Sequence, residues 1–289
     1  MKNLYRWACL LFIGLLVASC SDEFMDSDED DEYGSFYYID GKWKFDEWTY
    51  SPYSYSLDFD INLIVAGKYV GLGDRAPVEK LADKILKRSN MALNPGGINV
   101  RNINVLYASE HPFVGEAFPD TKEVILHYGE ENPLIDSLIR WPGHEGEISF
   151  VLGYFVYDDL DEKESVAGFS RLPGEIYYED SDRSDFIALA MRINHGNYKL
   201  TSDKIAQTAI HELGHFFGLP HTTEFSGTRF DDFSDTPECP KLGDYLFDES
   251  KCPDYYYIMF PRTGDESYKT FTPQQMDVIR MYLSTKKHK

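Results

Sequence analysis

The sequence is poor in cysteine and in basic residues. Four cysteines occur in 289 residues, and 28 lysines and arginines stand against 49 aspartates and glutamates, which gives a formal net charge of −21. Four cysteines are too few for a disulfide-dense scaffold. The chain therefore has to fold around a hydrophobic core. The acidic balance makes nucleic acid an unfavourable partner because phosphates would be repelled. The negative charge can be interpreted in two ways: it keeps the protein soluble, or it attracts basic substrates.

The sequence also lacks an apolar run of the roughly 20 residues needed to cross a bilayer. The run at residues 7–18 follows two basic residues and has the length of a secretory signal core. It ends in Val-Ala-Ser-Cys, which resembles the cleavage box of bacterial lipoproteins. This resemblance implies a signal peptide at 1–19 and a lipid anchor on Cys20, and hence an exported protein on the bacterial outer membrane or cell surface. An ordinary secretory signal with a chance cysteine is the alternative.

The rest of the chain divides by composition. Eight of the twelve residues at 21–32 are acidic, which predicts an extended tether over residues 20–33. Residues 34–56 are rich in tyrosine and tryptophan without a clean period, so we expect an irregular or short-stranded segment. Hydrophobic residues make up 43% of the chain, enough for one medium domain with its own core, which we assign to residues 57–289.

Strand and helix patterns predict an α/β (α+β) fold with a twisted mixed sheet and helices. A helix opens at Pro77 and carries apolar residues at helical spacing. A last helix, at 273–284, has Thr272 as its cap and Pro273 at its first position. The apolar run at 148–156 is typical of a strand covered on both faces. Four strands are predicted, at 60–66, 98–107, 148–156 and 186–193.

The candidate chemistry lies in residues 211–221, which read His-Glu-Leu-Gly-His-Phe-Phe-Gly-Leu-Pro-His. The preceding residues predict a helix, so His211 and His215 lie one turn apart on one face, where both can reach one cation. Gly218 can end the helix and redirect the chain, which returns His221 as the third ligand. Three protein ligands leave one position open for water, which is the arrangement of a catalytic zinc site.

Glu212 follows the first of these histidines directly. From that position it can approach a zinc-bound water and act as the general base of peptide hydrolysis. The cap of this helix is either Thr201 or Ser202, because both side chains can accept a hydrogen bond from the first turn.

The eleven residues resemble the extended zinc motif of the metzincin clan of metallopeptidases. Within the clan the chain most resembles the pappalysin family, through Gly-Leu-Pro-His-Thr at 218–222, Ser-Asp-Thr-Pro at 234–237 and Phe-Thr-Pro-Gln-Gln at 271–275. The resemblance implies a zinc endopeptidase acting on proteins or peptides, a Met-turn at Met259, and an edge strand within 166–174 that binds extended substrate. Phe260, after the methionine, departs from the tyrosine that is usual in the family.

Several features remain open at this point. Cys239 and Cys252 form an even pair in an exported chain, which favours a disulfide over two free thiols. The acidic residues between 224 and 249 either hold Ca²⁺, as the family resemblance suggests, or are simply solvated. A surface binding lipoprotein that keeps the scaffold without catalysis is the alternative function. The sequence indicates no physiological substrate, cleavage preference, maturation step or oligomeric state.

Overall fold

A computed structural model describes residues 36–39, 42–45, 56–68, 75–127, 132–157, 165–178, 184–194, 198–240, 251–262 and 271–286. The predicted signal peptide, tether and lipid-bearing Cys20 lie outside these residues. The chain forms two compact units, residues 1–47 and 48–289. In the first, β1 (Phe36–Ile39) and β2 (Lys42–Phe45) pair as an antiparallel hairpin. Within the described residues, no helix combines the length and the apolar character needed to span a membrane.

The second unit contains a five-stranded mixed sheet, which confirms the predicted fold class. Its strands lie in the spatial order β4 (Ile98–Tyr107), β3 (Leu57–Val65), β6 (Ile148–Gly153), β10 (Ile187–Ala190) and β9 (Gly168–Phe169). The first four run parallel, and β9 pairs antiparallel with β10 at the edge. All six residues of β6 are buried, as its continuous apolar run predicts.

Two of the predicted strands are each broken in the structure. After β6 the chain bends at Tyr154, and β7 (Phe155–Tyr157) joins a second sheet with β5 (Ile125–His127) and β8 (Ser165–Val166). After β10 it bends at Met191, and β11 (Arg192–Ile193) pairs with β12 (Tyr198–Lys199). The sequence stays apolar across the first break and largely so across the second, so composition did not reveal them. Helix α2 (Pro133–Ile139), capped by Asn132, was not predicted.

Two long helices cover the sheet. Helix α1 (Ala76–Leu93) packs on β4 and against α3 (Ser202–Phe216), which also contacts β10. The core lies between these helices and the sheet. The side chain of Thr201 accepts a hydrogen bond from the backbone N–H of Lys204 at 3.1 Å, so Thr201 is the cap of α3. Thr201 directly precedes the helix, whereas Ser202, the other candidate cap, is the first helical residue.

Helix α4 (Pro273–Lys286) fastens the end of the chain to the domain. Thr272 and Gln275 exchange the two hydrogen bonds of a capping box, as the sequence predicts. Arg280 is buried and donates from Nη1 to the carbonyl oxygens of Gly96 and Gly97, at 2.6 and 3.5 Å. These carbonyls belong to the turn between α1 and β4. The guanidinium therefore joins the last helix to the first part of the domain.

Replacement of Arg280 by methionine should lower the free energy of unfolding by about 2–3 kcal/mol. The variant keeps most of the apolar stem but leaves the buried carbonyl of Gly96 and the half-buried carbonyl of Gly97 without their charged donor. Urea unfolding measures the change. Met281→Ala is the matched control, because Met281 is 63% exposed on the same helix and should change stability by less than about 0.5 kcal/mol. An Arg280→Met variant as stable as the wild type would contradict the assignment.

Candidate active site

Helix α3 ends where the sequence predicts, and the turn after it delivers the third histidine. The last helical residue is Phe216, and Gly218 takes a φ of 100°, a conformation that glycine adopts without a steric penalty. The N–H of Gly218 donates to the carbonyl of His215 at 2.8 Å. This turn reverses the chain and brings His221 back to the face that carries the first two histidines.

The structure brings His211, His215 and His221 together. One nitrogen from each ring lies within 4.8 Å of the others. The ring centroids are 4.7 to 5.2 Å apart, and the Nε2 atoms of His215 and His221 are separated by 3.1 Å. Three imidazoles at this spacing can share one ligand at their centre.

An oxygen acceptor stands at the Nδ1 atom of each ring. His211 Nδ1 is 2.6 Å from the carbonyl of Ile258, and His215 Nδ1 is 2.7 Å from the carbonyl of Leu219. His221 Nδ1 is 3.2 Å from a carboxylate oxygen of Glu224. These acceptors hold the proton on Nδ1 and leave Nε2 of each ring as a lone-pair donor.

This donor set fits a zinc ion. Lone pairs that converge repel one another unless a cation lies between them, and three imidazole nitrogens with an open fourth position are a recurrent ligand set of catalytic zinc. His211, His215 and His221 are therefore the residues that could hold the metal.

Glu212 lies beside the triad on the same helix and is almost completely buried. Burial raises the pKa of its carboxyl group to about 8. Burial, followed by the nearby His221, lowers the pKa of His215 to about 3. A dication at the triad would favour the ionised carboxylate and the neutral imidazole, so metal binding would lower the pKa of Glu212 again. The site thus has a buried carboxylate whose charge depends on what the histidines bind.

The edge strand β9 lies directly over Glu212. A Cβ atom built on Gly168 would lie 3.0 Å from Glu212 Cγ, 2.8 Å from Thr208 Cγ2 and 2.7 Å from the carbonyl oxygen of Ala188. The strand approaches the carboxylate this closely only because residue 168 has no side chain. The N–H of Ala190 donates to the carbonyl of Ala167, so the alternation of the ladder turns the N–H and C=O groups of Gly168 outward.

Comparison with known proteins agrees with this geometry. A sequence model of the M43 peptidase family, described as pregnancy-associated plasma protein-A, matches residues 152–282. Over these residues, a little under half of the chain, the sequence is similar to pappalysin-type metallopeptidases. Two extracellular metalloproteases of Aspergillus fumigatus, from strains CBS 144.89 and ATCC MYA-4609, are each 32% identical over 142 residues, which cover 43% of this chain and 43% of each relative. The chain thus spans less than half the length of these curated relatives.

Met259 lies beneath helix α3, against Gly214. It is fully buried, and a Cβ atom on Gly214 would lie 2.3 Å from its sulfur atom. The carbonyl oxygens of the turn face the triad segment: Ile258 accepts from His211, and Met259 accepts from the N–H of Thr222 at 2.9 Å. The turn therefore supports the first histidine and fixes the chain that follows the third one.

The unusual Phe260 belongs to a small cluster around a disulfide. Cys239 and Cys252 are bonded, and both are buried together with Phe260. The ring of Tyr255 packs edge-on against Phe260 with centroids 5.5 Å apart. An apolar ring suits this position because it is fully enclosed, which accounts for the departure from the family pattern.

Asp254 is a site residue that the sequence analysis missed. It is fully buried and accepts hydrogen bonds from the hydroxyls of Thr222 and Thr223, at 2.8 and 2.6 Å. It thereby joins the residues after the third histidine to the segment that leads into Met259. The only sequence signal is an aspartate between Cys252 and the turn, which does not distinguish it from a solvated acid.

Two acidic residues between His221 and Met259 accept hydrogen bonds from other residues of the fold. Asp231 is buried and accepts from the hydroxyl of Thr236, and Asp235 accepts from Thr272 and Gln274 at the start of α4. Asp244, Asp248 and Glu249 lie outside the described residues. Calcium binding here stays a prediction.

The remaining histidines take other roles. His111 is buried with its ring edge-on to Trp141, at a centroid distance of 4.7 Å, and His127 stacks on Tyr157. His144 pairs with Glu147. Among the described residues, none of the three joins the triad. His195 lies outside the described range.

Substitution of Gly214 by alanine should destabilise the domain by about 1–3 kcal/mol. The added methyl group would overlap Met259, so the helix or the turn has to move. Met259→Ala alone should cost about 2–5 kcal/mol through the cavity it leaves. If the two residues are in contact, the double variant should cost less than the sum of the single variants. Additive costs in denaturant unfolding would show that Met259 does not lie beneath Gly214.

Proposed function

We propose that the chain is a zinc-dependent endopeptidase that hydrolyses peptide bonds of proteins or peptides outside the cytoplasm. The observation that carries the proposal is the convergence of three imidazole nitrogens beside a buried carboxylate, next to the edge strand β9. The pappalysin-type match over the same residues and the metalloprotease relatives support it.

His211, His215 and His221 would hold the zinc ion. Zinc bound there lowers the pKa of a water ligand towards 7 and polarises the carbonyl group of the scissile bond. Glu212 accepts a proton from the attacking water while the oxygen of that water bonds to the carbonyl carbon of the scissile bond. The carboxyl group then donates that proton to the leaving nitrogen as the C–N bond breaks. The buried position of Glu212 keeps bulk water from competing for this proton.

Strand β9 supplies the surface on which a substrate would lie. The outward N–H and C=O groups of Gly168 can pair with an extended peptide, which would add a strand to the sheet. Because Gly168 contacts Glu212, a peptide paired there passes beside the carboxylate. Backbone pairing holds any extended segment, so the strand favours an endopeptidase over an enzyme specific for chain ends.

A non-catalytic binding lipoprotein on the same scaffold is the rival function. Both functions require the three histidines, and they differ in what they require of Glu212. A protein that only binds has no use for a carboxylate beside the open metal position. The retained Glu212 is the observation that favours the enzyme.

Glu212→Gln should reduce peptide hydrolysis by roughly 10²–10⁴-fold while zinc stays bound, because the amide cannot take up and return a proton. A mixed peptide library analysed by mass spectrometry measures cleavage, and metal analysis measures zinc. Removal of the zinc with a chelator should also abolish cleavage. Glu238→Gln, at an exposed carboxylate on a nearby segment, should leave both unchanged.

Library cleavage that persists in Glu212→Gln would refute the general-base role. A wild-type protein that binds zinc but cleaves no peptide would favour the binding function.

We further propose that the protein is exported and anchored to the outer membrane or cell surface through a lipid on Cys20. Export is supported by the relatives, which are named extracellular, and the anchor rests on the lipoprotein-like sequence ending at Cys20. Acyl chains contribute about 0.8 kcal/mol per buried methylene, and stable anchoring takes more than one chain.

Cys20→Ala should release the protein from the membrane fraction, because the thiol is the attachment point of the lipid. Fractionation in high salt, followed by immunoblotting of pellet and supernatant, measures the release. Cys9→Ala is the matched control, since Cys9 lies within the apolar run and should leave the protein in the pellet. Continued pelleting of Cys20→Ala after the salt wash would exclude the lipid anchor.

A further inference from the structure

The geometry points to Glu224 as a positioning residue for the third histidine, an inference that rests on the proposed function. Its carboxylate oxygen lies 3.2 Å from Nδ1 of His221. In this position it orients the imidazole ring and keeps the proton on Nδ1, so that Nε2 is presented to the zinc ion. The motif at 211–221 ends before this residue.

The third histidine needs such support more than the other two. His211 and His215 belong to α3, whose backbone fixes their direction, and their Nδ1 atoms meet backbone carbonyls. His221 lies beyond the end of the helix, in a segment without regular structure. Its Nδ1 atom meets a side chain, which a single substitution can remove. A single substitution therefore disturbs the triad most easily at the contact between Glu224 and His221.

Glu224 is itself held in place by a tight turn. Its N–H donates to the carbonyl of Arg229 at 2.9 Å, and its own carbonyl accepts from the N–H of Gly227 at 2.8 Å. Gly227 has a φ of 64°, which a glycine takes without strain, and a bridge between Thr223 and Phe230 closes the turn. The backbone of residue 224 is thus fixed, so its carboxylate stays within reach of the histidine.

A second side chain of the same turn also contacts the ring. The ring of Phe225 lies edge-on to His221 with centroids 6.2 Å apart, and the guanidinium of Arg262 lies over the Phe225 ring at 5.6 Å. Adjacent residues of one turn therefore touch the imidazole at its Nδ1 atom and along its edge. Together they leave the ring little freedom to turn away from the triad.

The same carboxylate has an alternative use. An acidic residue beside the metal can attract a basic substrate side chain. In the structure the Glu224 carboxylate is paired with His221 and its side chain is 42% exposed, so the contact is partly solvated and its effect should be moderate. Loss of an outer partner of a metal-binding histidine typically weakens metal binding 10–100-fold.

The test measures the zinc affinity of the full chain, by competition with a chromophoric chelator, before any activity assay. Glu224→Ala should bind zinc about 10–100-fold more weakly than the wild type. Glu224→Gln should recover part of this loss, because its amide oxygen can still accept from Nδ1. Glu238→Ala is the matched control and should bind like the wild type. The melting temperature of each metal-free form shows whether the substitution affects folding.

Equal zinc affinity of Glu224→Ala and the wild type would overturn the inference. So would a loss of affinity accompanied by an equal loss of stability in the metal-free form, since that indicates a structural role only. A raised KM for basic peptides with unchanged zinc affinity would assign the carboxylate to substrate binding and likewise overturn it. If the wild type binds no zinc, the proposed function itself fails, whereas tight zinc binding in every variant refutes the role of Glu224 alone.

Discussion

The convergence of three imidazole nitrogens is the constraint on which the other features of the site depend. Each ring is oriented towards the others because its Nδ1 atom meets an oxygen on the opposite side. These oxygens come from three parts of the chain: the turn after the helix at Leu219, the turn at Ile258, and the loop at Glu224. The site is therefore assembled by tertiary structure, although its three rings are encoded within eleven residues.

The second requirement is that neighbouring segments approach helix α3 closely. Glycine permits this at two positions, one on the helix and one on the edge strand. Gly214 lets the methionine turn reach the underside of the helix, and Gly168 lets the edge strand reach Glu212 from above. The helix is thus enclosed between a turn and a strand that both touch it without intervening side chains. This enclosure explains why nearly all of α3 is buried, beyond the single stripe expected from its sequence.

Local patterns in the sequence were sufficient to predict much of this structure. The strand Ile98–Tyr107 has the predicted bounds, and the caps of the helices at 202 and 273 follow from side chains close in sequence. The bends at Tyr154 and Met191 escaped prediction because hydrophobicity reports burial and does not tell which sheet a residue joins. The roles of Asp254 and Glu224 escaped it because each depends on a partner that only the folded chain brings near.

The attachment of the last helix has a consequence for the order in which the protein matures. Helix α4 contacts the turn at residues 96–97 through Arg280, and the hydroxyl of Tyr282 donates to the carbonyl of Gly174, just beyond the edge strand. Phe271, which precedes the helix, packs against the active-site helix at Gly214. During synthesis, Phe271, Arg280 and Tyr282 leave the ribosome after the three histidines. A nascent chain that already carries all three histidines therefore still lacks the groups that close the domain around them, and at that stage it has the ring nitrogens but no finished cleft.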